Sequence, residues 1–255
     1  GFLPGIGGDD DGPKGGLNGI DNGRLHFTSV RVPRENLLDR YGHVDDNGVY
    51  SSPIESRGRR FFTILGTLVQ GRVSLVGASV VASQLASTIA IQYSLVRRQF
   101  PVPGTPDEQV LLDYQTHQRR LLPRLANAYA MTFAQDELLT LFDDVFSGRS
   151  DTEDARQDLE TLAAALKPYA TWSALDIAQA GREACGGQGF LAENRLATLH
   201  ADLDVYATFE GDNTVLLQLV AKRLLGDYAK QFTDPDFGTM AGYVAEQMGD
   251  LAINR

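Results

Sequence analysis

Between residues 56 and 225, apolar residues recur every three or four positions in four long runs, the period of helices. The first run spans 60 to 98, with Phe62, Leu65, Val69, Val73, Val76, Val80, Leu85 and Ile89 in phase. Gly66, Gly71 and Gly77 lower its helix propensity and leave room for a close neighbour. Polar residues cover little of it, so burial on several sides is expected. Phe100-Pro-Val-Pro-Gly-Thr-Pro106 is a stiff stop and linker. The second run is expected from Asp107 to Ser147, with Pro106 and Asp107 at its start and Pro123 as a point of bending. The third opens with Ser150 or Asp151 as cap and acidic residues in its first turn. It continues through Leu159, Leu162, Leu166 and Trp172 to the Gly186-Gly187 stop, with Pro168 as a kink or division. After a short helix at 192 to 199, a fourth run goes from Asn213 to Leu225, capped by Asp212 or Asn213. Long helices with short joins predict a mainly α antiparallel bundle.

The flanks read differently. Residues 1 to 24 are rich in Gly and Asp and read as loop. Arg24-Leu-His-Phe-Thr-Ser-Val-Arg-Val32 alternates as a strand, slips phase at Thr28-Ser29, and is closed by Pro33. A single strand makes no sheet, so its partners are expected to be missing or to belong to another chain. Asp-Asp-Asn-Gly at 45 to 48 marks a turn within a loop from 41 to 57. The resulting division is 1–55 as the remnant of a β region, 56–228 as the bundle, and 229–255 as the start of a further helical region.

Composition removes several classes of function. A net charge of -10 argues against nucleic acid as the partner. The lone Cys185 excludes an internal disulfide and a cysteine-rich metal site. His26, His43, His117 and His200 lack metal-ligand spacing, so no metal is expected. The apolar tracts are interrupted by Gly, Ser and Gln, so no membrane span is expected. The terminal Ala-Ile-Asn-Arg is not a Ser-Lys-Leu peroxisomal address. No P-loop or strand-Gly-helix nucleotide motif is present.

Four groups carry possible chemistry, each with a plainer alternative. In Tyr206-Ala-Thr-Phe-Glu210-Gly-Asp-Asn213, a lone carboxylate follows aromatic and small residues. Partial desolvation there suits a general base, and a solvated turn is the competing reading. Cys185-Gly-Gly-Gln-Gly-Phe190 is either a helix cap with a turn or a close backbone approach to a planar or phosphorylated ligand. Arg97 and Arg98 end a helix, where they either balance its dipole or clamp a diphosphate. Arg72 stands alone on an apolar run and needs an anion, either a core partner or the Glu210 loop. Asp9 to Asp11 read as plain loop.

Four stretches together resemble the acyl-CoA oxidase branch of the acyl-CoA dehydrogenase superfamily. They are Gly16-Leu-Asn-Gly-Ile-Asp-Asn-Gly23 with the segment from Phe27 to Leu38, Tyr93-Ser-Leu-Val-Arg-Arg-Gln-Phe100, Cys185-Gly-Gly-Gln-Gly-Phe190, and Phe209-Glu-Gly-Asp-Asn-Thr-Val215. The resemblance implies a C-terminal four-helix domain preceded by the end of a middle β domain. It also implies that the family's N-terminal helices and flavin-ring strands lie outside this chain. It implies Glu210 as catalytic base, with Gly211 beside the thioester and Arg72 near the CoA portion of the substrate. It implies FAD as cofactor, with Arg97, Gln99 and Phe100 reaching the FAD of a neighbouring subunit. Gly186, Gly187 and Gly189 would approach that cofactor from the partner, and Asn213 would contact the flavin side. The implied reaction converts an acyl-CoA to a trans-2-enoyl-CoA and oxygen to hydrogen peroxide. The alternatives are a dehydrogenase that uses an electron-transfer flavoprotein, or a truncated noncatalytic helical subunit. The expected partner is a second copy in a homodimer or larger oligomer, or another chain supplying the absent domains. The expected location is cytoplasmic for a bacterial source and peroxisomal for a eukaryotic one.

Overall fold

The computed structural model describes residues 1–66 and 68–233. Four long helices pack with one short helix as a five-helix bundle, and three small two-stranded ribbons lie outside it. The long helices are α2 (Leu68–Val96), α3 (Gln115–Phe146), α4 (Glu153–Ala184) and α6 (Asn213–Thr233). Helix α1 (Arg57–Leu65) precedes the bundle, and α5 (Leu196–Asp204) packs on α4.

Side-chain contacts give the helix directions. Gln135 of α3 reaches the Val73 carbonyl, Gln84 reaches Thr132, and Ser94 meets His117, so α2 and α3 run antiparallel. Arg124 pairs with Asp176 and Tyr169 donates to Asn127, so α3 and α4 also run antiparallel. Lys167 donates to Asn213 and Arg223 to Gln157, which opposes α6 to α4. Helices α2 and α4 therefore run parallel through the middle of the bundle. Small residues let them approach closely: a Cβ on Gly181 would lie 3.2 Å from the Ala86 carbonyl oxygen. Ala86, Ala90, Ala163, Ala174 and Leu138 have no exposed surface. Two buried hydroxyls return to their own helix, Ser83 donating to the Ser79 carbonyl and Ser94 to that of Ala90. Helix α2 is long and apolar enough to cross a membrane by length and composition. Its Val69, Val73, Val76 and Val80 instead belong to the bundle core.

Several boundaries depart from the sequence reading for physical reasons. The run expected over 60 to 98 is two helices, interrupted after Leu65, where Gly66 weakens the helix. The second long helix starts at Gln115 rather than Asp107. Glu108–Val110 (β6) instead pairs antiparallel with Arg98–Pro101 (β5), so the expected linker is a hairpin. Helix α4 is capped by Thr152, whose hydroxyl accepts from the Ala155 amide, and not by Ser150 or Asp151. It continues unbroken through Pro168. The short helix is displaced to Leu196–Asp204, and α6 extends to Thr233 rather than stopping at Leu225.

The N-terminal segment is not plain loop. Ile6–Asp10 (β1) pairs antiparallel with Gly23–Phe27 (β2), so the predicted strand has its partner within the chain. Strand β2 ends before Ser29, which has φ +50°, so the phase slip marks an end. The Arg24–Asp11 ion pair and the His26–Asp9 hydrogen bond cross this exposed ribbon. Another ribbon joins His43–Val44 (β3) to Tyr50–Ser51 (β4) around the predicted turn. Gly16 and Leu17 fasten the segment to α5, with the Leu17 amide donating to Asp202 at 2.6 Å. A Cβ on Gly16 would lie 2.3 Å from the Ala201 carbonyl oxygen. The further helical region expected from 229 onward falls outside the described residues, apart from 229–233, which continue α6.

Candidate active site

The Glu210 turn joins a 3-10 turn at Val205–Ala207 to the start of α6. Glu210 has φ +54° and Gly211 has φ +99°, two successive left-handed residues. Asp212 caps α6 by accepting from the Thr214 amide at 2.9 Å and the Val215 amide at 3.3 Å. Gly211 is constrained by its neighbour as well as its φ, since a Cβ there would meet Leu216 at 3.0 Å. The Tyr206 and Phe209 rings lie 5.3 Å apart beside the turn.

Glu210 is half-buried. Its carboxylate rests directly on α2 at Gly71, where a Cβ would come within 2.4 Å of Oε2. Arg72 donates from Nε to the Glu210 carbonyl oxygen at 3.4 Å. Arg72 therefore meets the Glu210 loop, one of the two arrangements open from sequence. From α4, the Lys167 ammonium donates to the Gly211 carbonyl at 2.7 Å and to Asn213 Oδ1 at 2.9 Å. Asn213 donates in turn to Thr171 Oγ1 at 3.0 Å. Asn213 is 1% exposed and belongs to a buried bond network at the first residue of α6.

Sequence reasoning missed Lys167, and it marked Gly71 as room for a close neighbour without naming Glu210 as that neighbour. Lys167 is a lone cation between Leu166 and Pro168 in an apolar run, the same signal that drew attention to Arg72. Gly71 is the residue next to Arg72. Burial lowers the Lys167 pKa to about 8 from 10.5; the Asp212 and Glu210 charges oppose this shift and the Arg72 charge adds to it. The unfolded chain therefore binds this proton more tightly than the folded one. The cost of burying the cation is fully present below pH about 8 and fades as pH rises toward 10.5. Denaturant unfolding between these pH values should show Lys167→Met losing a rise in stability that the native sequence displays.

The second predicted group lies at the other end of the bundle. Arg97, Gln99 and Phe100 follow the C-terminus of α2 and are exposed. Phe100 has φ +62° and leaves 64% of its surface exposed. A cleft of about 260 Å³ lies here, lined by Phe100, Leu111, Tyr114, Thr116, His117 and Arg120. Burial pushes the His117 pKa down, and the Arg120 charge adds to it. Gly186 and Gly187 are exposed in the turn after α4, whereas Gly189 is buried. A Cβ on Gly189 would lie 2.0 Å from the Arg182 carbonyl, which explains a glycine there. Because α2 and α4 run parallel, the glycine turn shares this end with Arg97. From Arg72 to Val96 the helix rises roughly 36 Å at 1.5 Å per residue. The structure thus brings Glu210, Gly211 and Arg72 together, and separates them from Arg97, Gln99, Phe100 and the glycine turn. Among the described residues, no group of three His, Cys, Asp or Glu side chains is placed to hold a metal ion.

Comparison with known proteins decides the family. The profile of the acyl-CoA oxidase C-alpha1 domain matches residues 65–225. The chain belongs to the acyl-CoA oxidase family. It is 44% identical over 246 residues to peroxisomal acyl-coenzyme A oxidase 2 of Arabidopsis thaliana, covering 96% of this chain and 35% of that protein. It is 43% identical over 238 residues to human peroxisomal acyl-coenzyme A oxidase 3, covering 91% of this chain and 34% of that protein. The crystal structure of a tomato acyl-CoA oxidase superposes with a TM-score of 0.81 at 35% identity, covering 91% of this chain and 36% of that one. Acyl-CoA oxidase-2 of Caenorhabditis elegans, bound with FAD, ascaroside-CoA and ATP, superposes with a TM-score of 0.80 at 31% identity. There the match covers 91% of this chain and 34% of the worm protein. This oxidase-family chain spans about a third of the length of the relatives it matches.

Proposed function

We propose that this chain carries the catalytic base of an FAD-dependent acyl-CoA oxidase, and that Glu210 is that base. The observation that carries the reading is the seating of the Glu210 carboxylate at Gly71, in a turn whose backbone is held from α2 and α4. A base must be fixed before substrate arrives, because a misplaced carboxylate loses the geometric part of its rate advantage. The thioester carbonyl acidifies the α carbon of an acyl-CoA. Glu210 takes that α proton onto its carboxylate, while Arg72 beside it supplies positive charge on the substrate side. The chemistry that FAD supplies when bound is acceptance of the β hydride and transfer of the electrons to oxygen, giving trans-2-enoyl-CoA and hydrogen peroxide.

The residues at the far end fit such a cofactor. The Arg97 guanidinium suits a diphosphate, the exposed Phe100 ring and adjoining cleft suit a planar group, and the open Gly186-Gly187 backbone permits close approach. Their separation from Glu210 along α2 supports service to a second copy's site, and hence a homodimer. The peroxisomal names of the Arabidopsis and human relatives support a peroxisomal setting.

The test is an assay of the FAD-loaded enzyme that carries this chain. Addition of a saturated acyl-CoA should bleach the flavin absorbance anaerobically and release about one peroxide per enoyl-CoA in air. Turnover only with an electron-transfer flavoprotein would identify a dehydrogenase. No bleaching by any acyl-CoA would end the reading.

A further inference from the structure

We infer that Lys167 is the positioning residue of the Glu210 turn, a buried cation that acts with Asn213 and Thr171 to hold the turn's backbone against α4. The inference rests on the reading of Glu210 as the base. Lys167 has no exposed surface, yet its oxygen partners are the Gly211 carbonyl of the turn and the side-chain amide of Asn213 rather than carboxylates. A buried ammonium in such company is costly to desolvate. It also lies at the N-terminal end of α6, where the helix dipole disfavours a cation. Core stability alone therefore gives no reason for a lysine here.

The turn does supply a reason. Glu210 is a non-glycine residue at φ +54°, a conformation that persists only where surrounding contacts enforce it. Each of the two left-handed residues has its carbonyl engaged by a cation from a different helix. Arg72 of α2 takes the carbonyl of Glu210, and Lys167 of α4 takes that of Gly211. The Asn213 amide, bonded to Lys167 and Thr171, ties the same point to the first turn of α6. The charged groups that act on Lys167 are Asp212 and Glu210, which favour its charged form, and Arg72, which opposes it. Loss of the Lys167 proton near pH 8 removes the positive charge while leaving two N–H donors.

Two variants test this, Lys167→Met and the near-isosteric Thr171→Val. Hydrogen exchange is read for peptides covering 205–218, with peptides from 121–145 of α3 as reference. Kinetics are read on the FAD-loaded enzyme that carries this chain. For Lys167→Met, exchange in the turn should rise by about tenfold while the α3 reference keeps its protection. The kcat should fall by about 100-fold with little change in KM, and an alkaline limb of the pH profile near 8 should disappear. Thr171→Val should shift exchange and kcat in the same direction by less. Unchanged turn exchange with kcat within about twofold of the native value would overturn the inference. So would an equal rise of exchange in the turn and in α3, which marks a general core role. Where Lys167→Met does not fold, the same readings on Thr171→Val decide the matter. Full activity in Glu210→Gln alongside a loosened turn in Lys167→Met would sink the base assignment and leave the positioning role standing.

Discussion

Glu210→Gln should lower kcat/KM for an acyl-CoA by about 1,000-fold, within the range that general-base groups contribute. Glutamine has the same size and can occupy the same seat at Gly71, but it cannot accept a proton. The contacts that hold the turn run through the carbonyl oxygens of Glu210 and Gly211, not through the carboxylate. The fold and the thermal midpoint should therefore stay close to native. Flavin binding should also survive, because Arg97, Gln99, Phe100 and the glycine turn lie at the far end of α2. Absorbance spectra, thermal melts and steady-state kinetics on the loaded enzyme check all three. Native turnover in the variant would move the base elsewhere.

Gly71→Ala should produce the less obvious result: a stable protein with poor catalysis. The added methyl would meet Oε2 at 2.4 Å, Cδ at 2.6 Å and Oε1 at 2.9 Å, all belonging to the Glu210 carboxylate. Those atoms form the free end of a side chain, so the carboxylate moves and the backbone need not. Alanine is also the better helix former, by up to about 1 kcal/mol in a helix interior. The melting temperature should hold or rise. Displacement of the carboxylate by about 1 Å should nevertheless cost about 100-fold in kcat. An unchanged kcat would show that the carboxylate does not need its place on α2.

The sequence reveals the bundle because an apolar period of three to four is a local property of each helix. It reveals Glu210 and Arg72 because a charge amid apolar neighbours is visible without coordinates. The strands are harder to see. Ile6–Asp10 contains Gly-Gly-Asp-Asp, a poor strand composition, and becomes a strand through its pairing with Gly23–Phe27. Glu108–Val110 leads into a helix-like run and is withdrawn from it by pairing with Arg98–Pro101. Both outcomes depend on residues distant along the chain. The same holds for the bonds of Asn213, whose partners Lys167 and Thr171 come from α4. That the two groups of candidate residues sit at opposite ends becomes visible only once α2 and α4 are known to run in one direction.

The close seam of Ala86, Ala90 and Gly181 sets α2 and α4 side by side, so the pair spans a fixed distance between the two groups of candidate residues. On the proposed sharing of sites, such a pair acts as a caliper that restricts how copies can assemble. Two copies related by a two-fold axis, with their helix pairs pointing in opposite senses, complete each other's catalytic centres and leave none unfinished. A head-to-tail chain of copies would always leave one incomplete centre at its end. On that proposal, closed assemblies complete every centre and open growth does not.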